Sequence, residues 1–302
     1  MVVAADNLSK RKYSMPTLPE MNKDEFSQWL ELFSQRIGVR ASALRISYLV
    51  RVLEERMQDL GIKEYQQYFD YLHSGVAGEI EWTKLIDILT VHETRFFRHT
   101  ISLEYVRSYT ELRCRDSQNS PASIQAWSVG CATGEEAYSL AMIIDQAIES
   151  SRKEGYFGVV ATDVSRGSLS VGRRGIYHQR KLTNLSEDLK SKYLTCTGDQ
   201  RYQVCKKLRD RVCFAPVNVL DIGQNFMAKM DIVYCQNVLI YFEQETRMRV
   251  LTKLVDYILP GGILILGAGE IHGWVHPHLE RIEDDDILAF RKISDSQCGY
   301  IQ

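Results

Sequence analysis

Trp127-Ser-Val-Gly-Cys-Ala-Thr-Gly-Glu-Glu-Ala-Tyr-Ser139 decides how this chain is read. The apolar run from Ile124 to Val129 predicts a buried strand. Gly130 and Gly134 then punctuate a tight loop, and a helix opens on Glu135 and Glu136. Glycines at a strand-to-helix turn admit a ligand close to the backbone, where a Cβ would block it. The spacing is Gly-x-x-x-Gly, so neither a dinucleotide fingerprint nor a phosphate loop is present. Two acids at the positive end of the helix would repel a pyrophosphate.

An acidic loop suits a ligand that carries a cation, and S-adenosylmethionine carries both an ammonium and a sulfonium. On this stretch alone, an ordinary strand-to-helix connection remains an equal alternative. The next segments favour the ligand. Phe157-Gly-Val-Val-Ala-Thr-Asp163 is an apolar strand ending in an acid, placed to take ribose hydroxyls. Met230-Asp-Ile-Val-Tyr-Cys-Gln-Asn237 is another buried strand with a polar tip, and Leu259-Pro-Gly-Gly262 precedes the run Ile263 to Gly267. Strands alternating with helices predict an α/β fold with a doubly wound sheet, its ligand at the carboxyl ends of the strands. Gly130, Asp163 and Asn237 all fall at such ends.

Working outward, residues 22–90 carry helical periodicity: Phe26, Trp29, Leu30 and Phe33, then Leu49, Val52, Leu53 and Met57. They predict an all-helical N-terminal domain after a polar, loosely tethered segment, 1–21. Residues 91–120 form a linker with a connecting helix over roughly 100–114. The α/β domain spans 121–294, and 295–302 form a tail. The long interval between Asp163 and Asp231 predicts an antiparallel β flap at about 193–218, with Tyr202–Cys205 paired to Val212–Phe214.

Composition excludes several classes. With 302 residues and 45% apolar content the chain can fill two cores, and a net charge of −2 gives no general attraction for nucleic acid or anionic membrane. Seven scattered cysteines, none in a Cys-x-x-Cys pair, indicate free thiols in a reducing compartment. No apolar run reaches the length of a membrane span or a signal peptide, so a cytoplasmic protein is expected. His272, His276 and His278 could ligate a metal, but Pro277 breaks their alignment and no metal is expected. Phe96 and Phe97 read as packing. Glu270 reads equally as a supporting group or a solvated turn acid. Arg36, Arg40, Arg45, Arg51 and Arg56 give the helical domain a basic side that could grip acidic partner helices; a solvated face with Glu54 and Glu55 making helix pairs is the equal alternative.

Five segments together resemble the chemotaxis-receptor glutamate methyltransferases, the CheR family: Thr90-Val-His-Glu-Thr-Arg-Phe-Phe-Arg98, Trp127 to Glu136, Ala161-Thr-Asp163, Pro216-Val-Asn218 and Gln236-Asn-Val-Leu-Ile-Tyr-Phe242. The resemblance implies a class I S-adenosylmethionine-dependent fold whose enzyme forms glutamate γ-methyl esters on cytoplasmic receptor helices and releases S-adenosylhomocysteine. It implies that Thr94 and Arg98 lie beside the cofactor, Glu136 faces its ammonium and Asp163 takes the ribose. It further implies Asn218 near the adenine, Asn237 and Val238 along the methionyl side, and His92, Gly130 and Val219 completing the cofactor set. Arg98 and Tyr241 are the implied catalytic pair.

The chain departs from the family pattern at four places: His92 stands for Asn, Ala137 for Pro, Gln236 for Arg, and Gly267-Ala-Gly-Glu270 for Gly-His-Ser-Glu. Some members dock a receptor's C-terminal pentapeptide on the flap. The short flap here, without glycine in the Gln200–Asp210 region, predicts a monomeric enzyme that works without that tether, using the helical domain's arginines. The alternatives are a cofactor-binding regulator or a methyltransferase for another substrate, on the same fold.

Overall fold

The computed structural model describes residues 21–40, 46–90, 93–117, 121–223 and 226–293. His92 and Arg45 lie outside these residues. Four helices make the front domain: α1 (Lys23–Ile37), α2 (Ile46–Leu60), α3 (Tyr65–Leu72) and α4 (Val76–Leu89). Asn22 caps α1 in a reciprocal box with Glu25, satisfying donors at the helix start. Trp29, Phe33, Leu53, Met57, Tyr68 and Leu85 form a core of their own. An ion pair is sunk into it: Glu81 is 1% exposed. Its carboxylate accepts from Arg56 Nε at 2.7 Å and Nη2 at 2.8 Å, and from the Tyr68 hydroxyl at 3.0 Å. Such a pair is costly to break because one charge is left buried alone.

The connecting helix α5 (Thr100–Asp116) leads into β1 (Ala122–Val129), α6 (Glu135–Ser150), β2 (Gly155–Asp163) and α7 (Arg166–Arg174). After the flap come β6 (Val212–Pro216), β7 (Met230–Cys235), α10 (Gln244–Asp256), β8 (Ile258–Leu266), β9 (Leu279–Arg281) and β10 (Leu288–Lys292). The strands make one seven-stranded sheet in the order β6-β2-β1-β7-β8-β10-β9. It is parallel except for β10, which runs antiparallel to both neighbours. Along β1, Ile124 and Ala126 face a core under α6, while Trp127 and Val129 face the core under α10. Burial on both faces explains the unbroken apolar runs. The doubly wound sheet expected from the sequence is present. Its order reverses at β1, between β2 and β7, so the tips of these strands form the crevice.

The flap differs from expectation. Its strands are β3 (Ile176–His178), β4 (Leu194–Gly198) and β5 (Arg201–Val204), in the order β3-β5-β4. Val212–Phe214 does not pair with Tyr202–Cys205; it belongs to β6, which adds to the main sheet in parallel register from Val159↔Val212 to Asp163↔Pro216. The cause is the short helix α9 (Lys206–Arg209), which buries Leu208 and turns the chain back to the sheet edge. The flap therefore begins near residue 176 and ends at 204, not at 193–218. Between β3 and β4 lies a short helix, α8 (Glu187–Tyr193).

The helical domain rests on the carboxyl edge of the sheet. Val39 forms an isolated antiparallel bridge with Phe242, and Arg40 N donates to Tyr241 O at 2.8 Å. Asn218 Nδ2 donates to Arg36 O at 2.8 Å, and Gly167 N to the Asp87 carboxylate at 3.1 Å. No helix among the described residues is long and apolar enough to cross a membrane.

Candidate active site

The loop after β1 is shaped by what cannot stand there. Gly130 has φ +70, and a Cβ on it would come within 2.4 Å of Val238 Cγ2. Gly134 has φ +94, with Phe214 2.8 Å from where its Cβ would be. The loop is pinned by Cys131 N donating to Thr162 O and Ala132 N to Asp163 Oδ2, both at 2.9 Å. Asp163 Oδ1 also accepts from Ser165 N at 2.8 Å. The carboxylate that the sequence assigned to a ligand thus also fixes the glycine loop.

Two connected lobes open at this crevice, and Gly130, Asn237 and Tyr241 line both. Their space between protein atoms is about 560 and 850 Å³, part of it open to solvent. The larger lobe is apolar. Val129, Val164, Val219 and Val238 form its walls beside Asp163 and Asn218, and Ile37, Val39 and Leu89 of the helical domain roof it. The smaller lobe is polar, with Glu136 and Gln236 inside and Glu93, Thr94, Arg95, Arg98 and His99 around it.

Glu136, in the first turn of α6, accepts from Ser128 Oγ at 2.7 Å. Burial pushes its pKa up to about 8; the Ser128 bond lowers it, Glu270 raises it, Arg98 lowers it and Asp163 raises it. A carboxylate so placed gains most from a cationic partner. A partly buried acid in the polar lobe, an apolar lobe with Asp163 at its wall, and a glycine where any Cβ would crowd the junction fit S-adenosylmethionine.

Two turns face each other across the polar lobe. Thr94 to His99 forms one, with Phe96 and Phe97 buried and Arg98 exposed. Phe97 sits at φ 51, and its N–H donates to Ser139 Oγ at 3.0 Å. Arg98 Nη1 donates to Glu93 O at 3.0 Å. The other turn follows β7, where Asn237 has φ 61 and its Oδ1 lies 2.9 Å from His99 Nε2. Tyr241 follows in a short 3-10 turn, its pKa raised by burial and lowered by Arg98. The phenol therefore stays a donor at neutral pH.

Of the residues singled out in the sequence, Thr94, Arg98, Gly130, Glu136, Asn237 and Tyr241 meet around the polar lobe, and Asp163, Asn218, Val219 and Val238 around the apolar one. Val238 lines the apolar lobe. Asn218 is turned toward the domain seam, with Nδ2 on Arg36 O and Asp221 Oδ2 and Oδ1 accepting from Leu220 N.

Sequence reasoning missed His99, Lys181 and Tyr177, whose contacts span distant segments. It left Glu270 undecided. Glu270 is 0% exposed and accepts from Val238 N at 2.9 Å, Leu239 N at 3.0 Å and Gly267 N at 2.8 Å, so it staples the Asn237 turn to the end of β8. Among the described residues no group of His, Cys, Asp and Glu is arranged to hold a metal ion.

Comparison with known proteins agrees with this geometry. Residues 92–284 match the family model of the CheR methyltransferase SAM-binding domain, and residues 24–90 that of the CheR methyltransferase all-alpha domain. A chemotaxis protein methyltransferase of Borreliella burgdorferi is 30% identical over 269 residues, covering 87% of this chain and 93% of the relative. The chemotaxis protein methyltransferase of Escherichia coli is 29% identical over 259 residues, covering 85% and 86%. That of Vibrio parahaemolyticus is 31% identical over 261 residues, covering 84% and 90%. With both domain models matched in order over most of its length, the chain belongs to the CheR methyltransferase family, a family of S-adenosylmethionine-dependent methyltransferases.

Proposed function

We propose that this protein methylates glutamate side-chain carboxylates on the cytoplasmic helices of membrane chemoreceptors, giving glutamate 5-O-methyl esters and S-adenosylhomocysteine. The observation that carries this reading is the order of charge in the polar lobe. Of the groups that line it, Glu136 is partly buried while Arg95 and Arg98 are exposed, with the Glu93 carboxylate 3.7 Å from Arg95; Tyr241 and His99 stand beside them. A cationic ligand end is favoured within and an anionic nucleophile outside.

S-adenosylmethionine, when bound, supplies an electrophilic sulfonium methyl. Glu136 holds its ammonium, Asp163 its ribose hydroxyls, and Val219, Val238 and Asn218 flank its base. Thr94, His92, Gly130 and Asn237 complete the set by family resemblance. Glutamate, with an ordinary pKa near 4.3, is already ionised at neutral pH and needs no general base. Arg98 orients that carboxylate through its planar fork. Tyr241 donates a hydrogen bond near the reacting oxygen. Catalysis then rests on alignment and on excluding water from the nucleophile.

The partner surface is narrower than the arginine count implied. Arg56 is committed to Glu81 and Asp59, Arg36 pairs with Glu79 and lies over Trp82, and Arg51 pairs with Glu55. The exposed pairs at Arg36 and Arg51 can exchange partners at little cost, since each contributes about 0–1 kcal/mol; Arg56 cannot. Arg95 and Arg98 are the exposed cations at the lobe itself.

Action without a pentapeptide tether stands on different grounds from those read in the sequence. The β4–β5 turn lies at 198–201 and does contain Gly198, just outside the Gln200–Asp210 region. The outer edge of β4, however, is interrupted by a bulge between Cys196 and Gly198, and β3 offers three residues. A bulged or very short edge resists an added strand. Mapping the methyl group by mass spectrometry after turnover with receptor fragments tests the reading; it should sit on glutamate side chains. Specific micromolar binding of receptor C-terminal pentapeptides would overturn the tether-free part alone.

A further inference from the structure

β3 and the turn that follows it pack against the Thr94–His99 turn and the glycine loop after β1. The Tyr177 ring meets Phe96 edge-on at 5.0 Å between centroids, and its hydroxyl donates to Thr133 O at 2.8 Å. Four residues on, Lys181 Nζ donates to Thr94 O at 2.8 Å and stands 3.1 Å from Glu135 Oε1. Glu135 is 0% exposed, and its Oε2 accepts from Thr133 Oγ1 at 2.6 Å. The main chain of the same residue accepts from Ser139 Oγ, which in turn takes the Phe97 N–H.

We propose that Lys181 is a positioning residue for methyl transfer: it clamps the Thr94–Arg98 turn to the start of α6, so that Arg98 meets the incoming carboxylate in register. The physical need is visible in the turn. Phe97 is held at φ 51, where a bulky side chain is disfavoured and the backbone would relax if released. Three hydrogen bonds hold the turn from outside: Ser139 at Phe97, Asn237 at His99, and Lys181 at Thr94, where the turn begins. The ammonium also neutralises a carboxylate that would otherwise be buried with a single hydroxyl donor, so clamp and charge compensation reside in one group. Lys181 lies on the flap side of the molecule, and displacement of the flap would therefore reach Arg98 through it. The inference rests on the reading that Arg98 orients the substrate.

Lys181→Met should slow turnover by about tenfold or more, the scale for misplacing a catalytic group by an ångström or less. It should hasten hydrogen exchange at the Phe97 and Arg98 amides and leave affinity for S-adenosylhomocysteine within about threefold. Lys181→Arg, which keeps a cationic donor, should restore both turnover and protection. If the buried Glu135 charge prevents folding of Lys181→Met, the double variant Lys181→Met/Glu135→Gln removes that charge and should show the same loss. Normal turnover, or unchanged exchange at Phe97 in a folded variant, overturns the proposal. So does a loss of cofactor affinity in proportion to turnover. Arg98→Ala with normal turnover would sink the reading of Arg98 instead, while the exchange measurement still reports on the clamp.

Discussion

His99 Nε2 lies 2.9 Å from Asn237 Oδ1, joining two turns that each hold a side-chain-bearing residue in left-handed backbone. Phe97 has φ 51 and Asn237 φ 61, and such a conformation costs on the order of 1–2 kcal/mol in residues other than glycine, least for asparagine. The cost is spent where two loops must face each other across the polar lobe. Asn237→Gly and Asn237→Ala both delete the amide, but glycine accepts the backbone. Denaturant unfolding should therefore find the alanine variant less stable than the glycine variant by about 1 kcal/mol. Equal stability would mean that the turn relaxes and stores no strain.

On the proposed reading, the acid at Glu136 makes cofactor binding depend on pH. Its pKa in the ligand-free protein is raised from 4.5 to about 8, so the folded state holds this proton more tightly than the unfolded chain. Its contribution to stability is fully present below 4.5 and is lost as pH rises through about 8. An ammonium ligand needs the ionised form. Calorimetry with S-adenosylhomocysteine should show affinity tightening from about pH 6 to about pH 8 with release of a proton on binding. Glu136→Gln should weaken binding and flatten that dependence. A wild-type affinity that does not change with pH in this window would separate Glu136 from the ammonium.

At Gly130 the prediction is steric. Alanine there must adopt φ +70 and push Val238 Cγ2 away from 2.4 Å. Gly130→Ala should cost about 1–3 kcal/mol of stability. It should also remove measurable binding of S-adenosylhomocysteine, because Val238 yields into the lobe. Adding Val238→Ala should recover part of the stability. Cofactor affinity unchanged in Gly130→Ala would show that the ligand does not pass this junction.

Asp163 holds the loop amides and, on the proposed reading, the ribose as well. Asp163→Ala should weaken S-adenosylhomocysteine by about 1.5–3 kcal/mol, the scale of hydrogen bonds to a charged group. Asp163→Asn retains one acceptor oxygen for Ala132 N or Ser165 N and should fall between. Unchanged affinity in the alanine variant would take Asp163 out of the site.

The glycine loop, Asp163 and Asn237 were legible in the sequence because each apolar strand announces its own end with a glycine or polar residue. Pairing was not. Val212–Phe214 alternates in the same way whether it closes a flap or adds to the main sheet, and α9 decides between them. The basic side of the helical domain was visible, yet Arg56 is neutralised by Glu81, 25 residues away on another helix. His99 reaches Asn237 across 138 residues, and Lys181 reaches Thr94 across 87; no local periodicity carries such contacts. Glu270 was ambiguous because its burial depends on the turn after β7 folding over it.

The most direct test of the account is methyl transfer from isotopically labelled S-adenosylmethionine to cytoplasmic receptor fragments from the same cell, followed by mild base. The account predicts label on the fragments that base releases as methanol, as an ester requires. Arg98→Ala should lose most of this label while keeping its affinity for S-adenosylhomocysteine within about threefold. Label that survives base, or that appears on another class of acceptor in place of the receptors, would contradict glutamate esterification as the function of this site.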